Sequence, residues 1–134
     1  VGLRSVGAYG PRQDPHAPYA GVVAKFCSAV AAGQNIEVFG DGDQTRDFLY
    51  AADAADAMEL AGERPVAGEV LNVGSGAATT VNEVARLLSE IISKPVKAVR
   101  KDVRPGDVRH SRADISRAME KLGFAPKTSL REGI

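Results

Sequence analysis

The sequence predicts an α/β fold in which short strands alternate with helices. The first observation is that apolar residues recur every three or four positions in several segments, which places them on one face of a helix. The second is that short runs rich in β-branched residues lie between these segments and are bounded by glycine, proline or asparagine. The third is that no repeat or low-complexity stretch interrupts the alternation. Such alternation is typical of α/β architecture.

Each predicted element depends on a local pattern. Residues 1–9 alternate loosely between apolar and polar and predict a strand, whereas the prolines and glycine of residues 10–18 predict a loop. In residues 19–33, the apolar side chains fall on one helical face and Gly33 ends the helix. Further strands are expected at 35–39, 47–50, 69–73 and 96–99, and further helices at 51–62, between Thr80 and Pro95 with Thr80 and Glu83 as a capping box, and at 114–122.

Composition excludes several classes of function. The chain has 134 residues, with 17 Lys and Arg against 17 Asp and Glu, so neither a nucleic-acid footprint nor an anionic membrane surface is predicted. No apolar run approaches the roughly 20 residues of a membrane span. The single cysteine, Cys27, lies in an apolar helical pattern and is interpreted as a core side chain, which fits a cytoplasmic location. No metal site is predicted, and the absence of an initiator Met indicates a piece of a longer protein.

The run from Gly40 to Phe48, GDGDQTRDF, is the most informative stretch of the chain. Gly40 and Gly42 allow positive φ, so the backbone can turn tightly and approach a ligand. Arg46 follows with a planar fork of donors that suits two phosphate oxygens. A second cluster, Arg104-Pro-Gly-Asp107, adds another cation and a carboxylate. Together they suit a ligand with a diphosphate and ribose hydroxyls, although each cluster alone is also typical of a simple turn.

Four motifs in order carry a family resemblance. They are LRSVGAYGPRQDP (3–15), VFGDGDQTRDFLY (38–50), VLNVGSG (70–76) and RPGDVRHSRADISRA (104–118). They resemble the C-terminal portion of the extended short-chain dehydrogenase/reductase family, especially the NAD-dependent nucleotide-sugar epimerases and dehydratases such as UDP-sugar 4-epimerases. The resemblance covers nearly the whole chain.

The resemblance implies the C-terminal part of a Rossmann-type domain plus a small α/β substrate-binding lobe. Approximately 18–45 and 77–134 would form the nucleotide-sugar-binding lobe, and approximately 1–17 and 46–76 would return to the NAD-binding domain. The chain has no glycine-rich dinucleotide motif and no Tyr-x-x-x-Lys pair, and Gly74-Ser75-Gly76 is interpreted as a turn. NAD would therefore be bound mainly outside this chain, no catalytic residue is assigned within it, and this piece alone would be inactive.

The resemblance also assigns roles to individual residues. It implies that Arg46 and Arg104 bind the substrate diphosphate and that Asp107 accepts bonds from the ribose hydroxyls. For Arg46 the alternative is a surface ion pair with Asp43 or Asp47. For Arg104 and Asp107 the alternative is an ordinary turn at Pro105-Gly106.

Four further positions would contact the base and the sugar. Phe39 and Glu37 would form the uracil platform, and Val22 would touch the same base, although Phe39 and Val22 suit core packing equally well. Ser111 would lie beside the sugar, where it leaves room for an N-acetylated hexosamine. The alternative for Ser111 is a helix cap with Asp114 as its partner.

One departure from the family pattern concerns Gly7. The family commonly has Arg-Tyr-Phe-Asn where this chain has Arg4-Ser5-Val6-Gly7, and the missing asparagine would bond the substrate.

The favoured function is a UDP-hexose or UDP-N-acetylhexosamine 4-epimerase that forms a homodimer as a full-length protein. The alternatives are a nucleotide-sugar dehydratase or decarboxylase, or a non-catalytic nucleotide-binding protein.

Overall fold

The computed structural model describes residues 1–134 and confirms the α/β class. Short strands alternate with five helices along the chain. The strands are β1 (Gly2–Ser5), β2 (Ala8–Tyr9), β3 (Ile36–Phe39), β4 (Thr45–Arg46), β5 (Leu49–Tyr50), β6 (Val70–Val73), β7 (Thr79–Thr80) and β8 (Ala98–Lys101). The helices are α1 (Val22–Ala31), α2 (Ala51–Glu63), α3 (Val81–Ile91), α4 (Ser116–Leu122) and α5 (Leu130–Gly133).

The strands pair two by two, and three of the four pairs are parallel. Strand β1 pairs with β6, β2 with β5 and β3 with β8 in parallel, whereas β4 and β7 are antiparallel. In the β3–β8 pair, Ile36 lies opposite Ala98 and Phe39 lies opposite Lys101. The carboxyl ends of β3 and β8 therefore meet at the same edge, which brings the segments after each strand together.

The predicted first strand is broken at Gly7. That residue has φ +50°, and a Cβ there would lie 1.9 Å from the carbonyl oxygen of Asp47. The backbone therefore turns between β1 and β2, which pair with different partners. Helix α1 is also shorter than the predicted 19–33, because residues 19–21 and 32–33 lie outside it. Strands β4 and β7 and helix α5 were not predicted, since each spans only two to four residues.

Two separate hydrophobic cores hold the fold together. The first packs α1, β3 and α3 around Phe26, Ile36 and Val84. The second packs α2, β6 and α4 around Leu71 and Phe124. Helix α4 thus lies with elements that the predicted division assigned to the other part of the chain, and the division itself stays a prediction.

Local signals explain where several elements begin and end. The Thr80–Glu83 capping box is confirmed, with the Glu83 amide donating to Thr80 Oγ1 over 3.0 Å. Gly123 ends α4 in the left-handed conformation at φ 71°, as is common one residue past a helix. Cys27 packs against the first core, and burial raises the pKa of its thiol. None of the helices has the length and apolar character that crossing a membrane requires.

Candidate functional site

The candidate site lies at the carboxyl ends of β3 and β8. The chain leaves β3 at Phe39 and turns through Gly40 and Gly42, which have φ values of 71° and 80°. This confirms that both glycines supply positive φ. A Cβ on Gly42 would also lie 2.2 Å from Asn82 Oδ1, so no larger residue fits there without rearrangement. The turn then delivers Arg46 on β4.

A clamp between Asp41 and Arg109 fixes this turn to the segment after β8. Arg109 donates from both terminal nitrogens to the two oxygens of Asp41, over 2.7 and 2.9 Å. This hydrogen bond is the main reason why the pKa of Asp41 falls to about 2. Thr45 also bridges to His110, with its amide donating to the Arg109 carbonyl over 2.9 Å. The segment that carries Arg104 and Asp107 is therefore held against the glycine turn from one side.

Arg46 is held by three bonds to that same segment and its own neighbour. Its Nη1 donates to the carbonyl oxygens of Thr45 and Val108 over 2.7 and 2.6 Å, and its Nη2 donates to Asp107 Oδ1 over 2.5 Å. A guanidinium has five N–H donors, so two remain for a ligand. Arg46 pairs with neither Asp43 nor Asp47, the two partners of the alternative interpretation.

Arg104 has a different environment. Pro105 and Gly106, with Gly106 at φ 77°, form a turn in which the Asp107 amide donates to the Arg104 carbonyl over 3.1 Å. These features are typical of a type II turn. The Arg104 guanidinium carbon lies 3.7 Å from the ring centroid of Phe39. Phe39 is half-buried and belongs to neither core, so the core-packing interpretation of this residue is wrong.

A cavity of about 770 Å³ brings most of the predicted site residues together. Its opposite wall comes from α1 and the loop before it. The charged side chains in its lining are three cations and two carboxylates: Lys25, Arg46, Arg104, Glu37 and Asp107. Six of the seven predicted residues line it, namely Val22, Glu37, Phe39, Arg46, Arg104 and Asp107. Their individual roles stay predictions.

Ser111 is the predicted site residue that does not line this cavity. Its amide donates to the Thr45 carbonyl over 3.2 Å, which continues the bridge at His110. The alternative role as a helix cap is wrong, since α4 begins only at Ser116, and the role of Ser111 beside the sugar stays a prediction. Asp114 bonds the amide and hydroxyl of Ser116 instead. Ser111 and Asp114 have the spacing of a helix cap, but no helix begins directly after Ser111. The sequence pattern was therefore ambiguous.

Asp47 is a buried polar residue that sequence reasoning did not single out. Its Oδ1 accepts from the Ser75 amide and hydroxyl over 2.7 and 2.6 Å, and its Oδ2 accepts from the amides of Gly76 and Ala113 over 3.0 and 3.1 Å. The Ser75 and Gly76 amides therefore serve a protein carboxylate, which agrees with the interpretation of Gly74-Ser75-Gly76 as a turn. A Cβ on Gly74 would lie 2.7 Å from Asp47 Oδ2, so glycine is required there. The sequence signal for a buried acid was its position directly before the apolar pair Phe48-Leu49.

Tyr9 also lines the cavity, but its chemistry differs from that of a catalytic base. Its ring is buried, and its hydroxyl has no hydrogen-bond partner. Burial, and secondarily the charge of Tyr50, raises the pKa of Tyr9 to about 12. A phenol with so high a pKa holds its proton near neutral pH and is poorly suited to removing one from a substrate.

The comparisons with known proteins decide the family. The sequence matches the GDP-mannose 4,6 dehydratase family over residues 3–134. The chain belongs to this family. The match confirms the resemblance to nucleotide-sugar epimerases and dehydratases, since relatives with those names share the same scaffold.

Three relatives of this dehydratase-family chain illustrate the likeness. It is 43% identical to the UDP-glucose 4-epimerase of Mycolicibacterium smegmatis, over 98% of this chain and 42% of that protein. A structure of the Thermotoga maritima UDP-glucose 4-epimerase with UDP-glucose is 46% identical, with a TM-score of 0.91 over 98% of this chain and 42% of that one. The UDP-N-acetylglucosamine 4-epimerase of Methanobrevibacter ruminantium, with UDP-N-acetylmuramic acid, is 39% identical, with a TM-score of 0.87 over 93% and 40%. The chain thus spans about two fifths of the length of these relatives.

Proposed function

We propose that this chain is the nucleotide-sugar-binding portion of an NAD-dependent epimerase, most simply a UDP-hexose or UDP-N-acetylhexosamine 4-epimerase. The observation that carries the proposal is the convergence of Arg46, Arg104, Asp107 and Phe39 on one cavity. These residues come from segments about 60 positions apart and supply two cations, a carboxylate and an aromatic ring, which match a diphosphate, a ribose and a base.

The charges of the cavity support a nucleotide rather than a neutral sugar as the anchored part. Arg46 is fixed by three bonds and keeps two free donors, so it can bind a phosphate oxygen with little loss of side-chain freedom. Asp107 is oriented by the same arginine and keeps its second oxygen free of protein partners. A fixed carboxylate of this kind accepts hydroxyl donors well, as the ribose of a nucleotide offers them.

NAD belongs to this proposal as a cofactor held outside the chain. The Gly74-Ser75-Gly76 turn does not fit a dinucleotide, because its Ser75 and Gly76 amides donate to Asp47. The contribution of this chain would be to hold the unreactive nucleotide, so that binding energy remote from the chemistry positions the sugar. A homodimer in the cytoplasm, without nucleic-acid or membrane partners, completes the proposal.

The test uses the full-length protein with NAD. Calorimetry would compare UDP-glucose, UDP-N-acetylglucosamine, UDP-glucuronate and dTDP-glucose, and NMR would then follow conversion of the tightest-bound sugar. We expect a UDP-hexose or a UDP-N-acetylhexosamine to bind tightest and to change configuration at C4. Failure of all four to bind would refute a nucleotide-sugar site.

The same scaffold favours one second candidate, a nucleotide-sugar dehydratase or decarboxylase, because the matching family is described by a 4,6 dehydratase. Mass spectrometry of the product from the same incubation separates these reactions. An epimerase yields a sugar of unchanged mass, whereas a dehydratase product is lighter by one water and a decarboxylase product by one carbon dioxide.

A further inference from the structure

The aromatic face that the proposed function assigns to a nucleobase is covered by a side chain of the protein itself. The guanidinium of Arg104 lies 3.7 Å from the centroid of the Phe39 ring. Stacked aromatic rings place their centroids about 4.5–7 Å apart, so the guanidinium fills the space that a base on this face would need. Binding of a base to this face therefore requires Arg104 to move.

The covering arginine is held weakly in comparison with its neighbour. Arg104 is exposed, takes part in no ion pair, and makes no side-chain hydrogen bond. Arg46, in contrast, donates three bonds to Thr45, Val108 and Asp107. A cation over an aromatic ring at an exposed site contributes only modest stabilisation, so the Arg104 side chain can leave Phe39 at small cost.

The main chain beneath Arg104 is better fixed than its side chain. The turn through Pro105 and Gly106 is closed by the bond from the Asp107 amide, and Asp107 is held by Arg46. The Asp41–Arg109 clamp holds the following residues. The guanidinium can therefore swing on a flexible stem about a fixed point, within the cavity that it shares with Arg46.

We propose that Arg104 determines specificity by making access to the Phe39 ring conditional on a diphosphate. The inference rests on the proposed function, which assigns Phe39 to the base and Arg104 to the diphosphate. A nucleoside must displace the guanidinium and offers it no charged acceptor in return. A nucleoside diphosphate displaces it and then accepts its donors, so the loss of one contact is offset by a stronger charge-assisted one.

The test compares uridine and UDP on the full-length protein with NAD, by calorimetry, for wild type and for Arg104→Ala. For uridine, removal of the competing guanidinium should tighten binding by roughly two- to fivefold, the range expected for an exposed cation–π contact. For UDP, loss of the charged donor should weaken binding by about 10- to 100-fold. Arg112→Ala is the matched control, since Arg112 is an exposed arginine nearby that does not line the cavity.

Tighter uridine binding together with weaker UDP binding would not result from a merely structural role of Arg104. A misfolded Arg104→Ala protein would lose both ligands, and circular dichroism would reveal it, in which case Arg104→Gln provides the second test. Glutamine has no positive charge and makes no cation–π contact with Phe39, so uridine should again bind more tightly than to wild type. Uridine affinity that stays equal or falls in the folded variants overturns the inference. Wild-type protein that binds no UDP overturns the proposed function itself.

Discussion

Replacement of Asp47 should destabilise the junction between β4, the Gly74–Gly76 turn and Ala113. Asp47 is 2% exposed, and its carboxylate accepts four hydrogen bonds, two on each oxygen. Asp47→Ala leaves four donors without an acceptor, and at about 1 kcal/mol each, with water reaching the more exposed ones, the loss is about 4 kcal/mol. Asp47→Asn should cost less, about 1–3 kcal/mol, because its amide can still donate to the Ser75 hydroxyl and its oxygen can still accept from Gly76 and Ala113.

Urea unfolding and amide hydrogen exchange would measure these losses. The midpoint should fall in the order wild type, Asp47→Asn, Asp47→Ala, and the amides of Ser75, Gly76 and Ala113 should exchange faster in the same order. Asp102→Ala is the control, since that aspartate is exposed. The reasoning is refuted if both Asp47 variants unfold at the midpoint of the Asp102 variant.

Three further predictions concern the cavity and its supports. Arg46→Ala should weaken UDP binding by about 10- to 100-fold through loss of charge-assisted bonds, while NAD affinity measured in the same titrations stays unchanged. Asp41→Asn should lower the thermal midpoint near neutral pH. Because the pKa of Asp41 is lowered to about 2, the difference from wild type should persist above about pH 4 and vanish as the pH falls through 2. Gly7→Ala should destabilise by about 2–4 kcal/mol in urea, since it adds strain at positive φ and a clash with the Asp47 carbonyl.

Each of these three predictions has a control or a result that would contradict it. Equal losses of UDP and NAD affinity would remove the role of Arg46. A wild-type advantage over Asp41→Asn that is unchanged at pH 2 would show that the Arg109 clamp does not act through charge. Gly33→Ala is the matched control for Gly7→Ala, because Gly33 has φ 68° but open space where a Cβ would lie. Equal destabilisation by the two changes would mean that the carbonyl contact at Gly7 is unimportant.

The sequence was informative where local chemistry decides the structure. The Thr80–Glu83 pair could be recognised because both bonds of a capping box form within four residues. The positive φ values of Gly40 and Gly42 were equally predictable, since a tight turn is a local requirement. The meeting of Arg46 with Arg104 was foreseen only through the order of motifs, because pairing between β3 and β8 joins segments distant in the chain.

Features that depend on tertiary contacts were not predictable in the same way. Nothing in residues 1–9 shows that Gly7 meets the Asp47 carbonyl, and so the strand break was missed. Ser111 has a cap-like spacing to Asp114, but the chain there joins β4 by a bridge, which a local pattern cannot reveal. The stack of Arg104 on Phe39 is likewise set by the register of two strands.

Two adjacent side chains, Phe48 and Leu49, belong to different cores. Phe48 packs with Phe26 and Ile36, whereas Leu49, which is 0% exposed, packs with Leu71. The two cores are therefore joined at this point by a single peptide bond. A cut between Phe48 and Leu49, made to split the chain for complementation, should therefore disturb the packing of both cores at once.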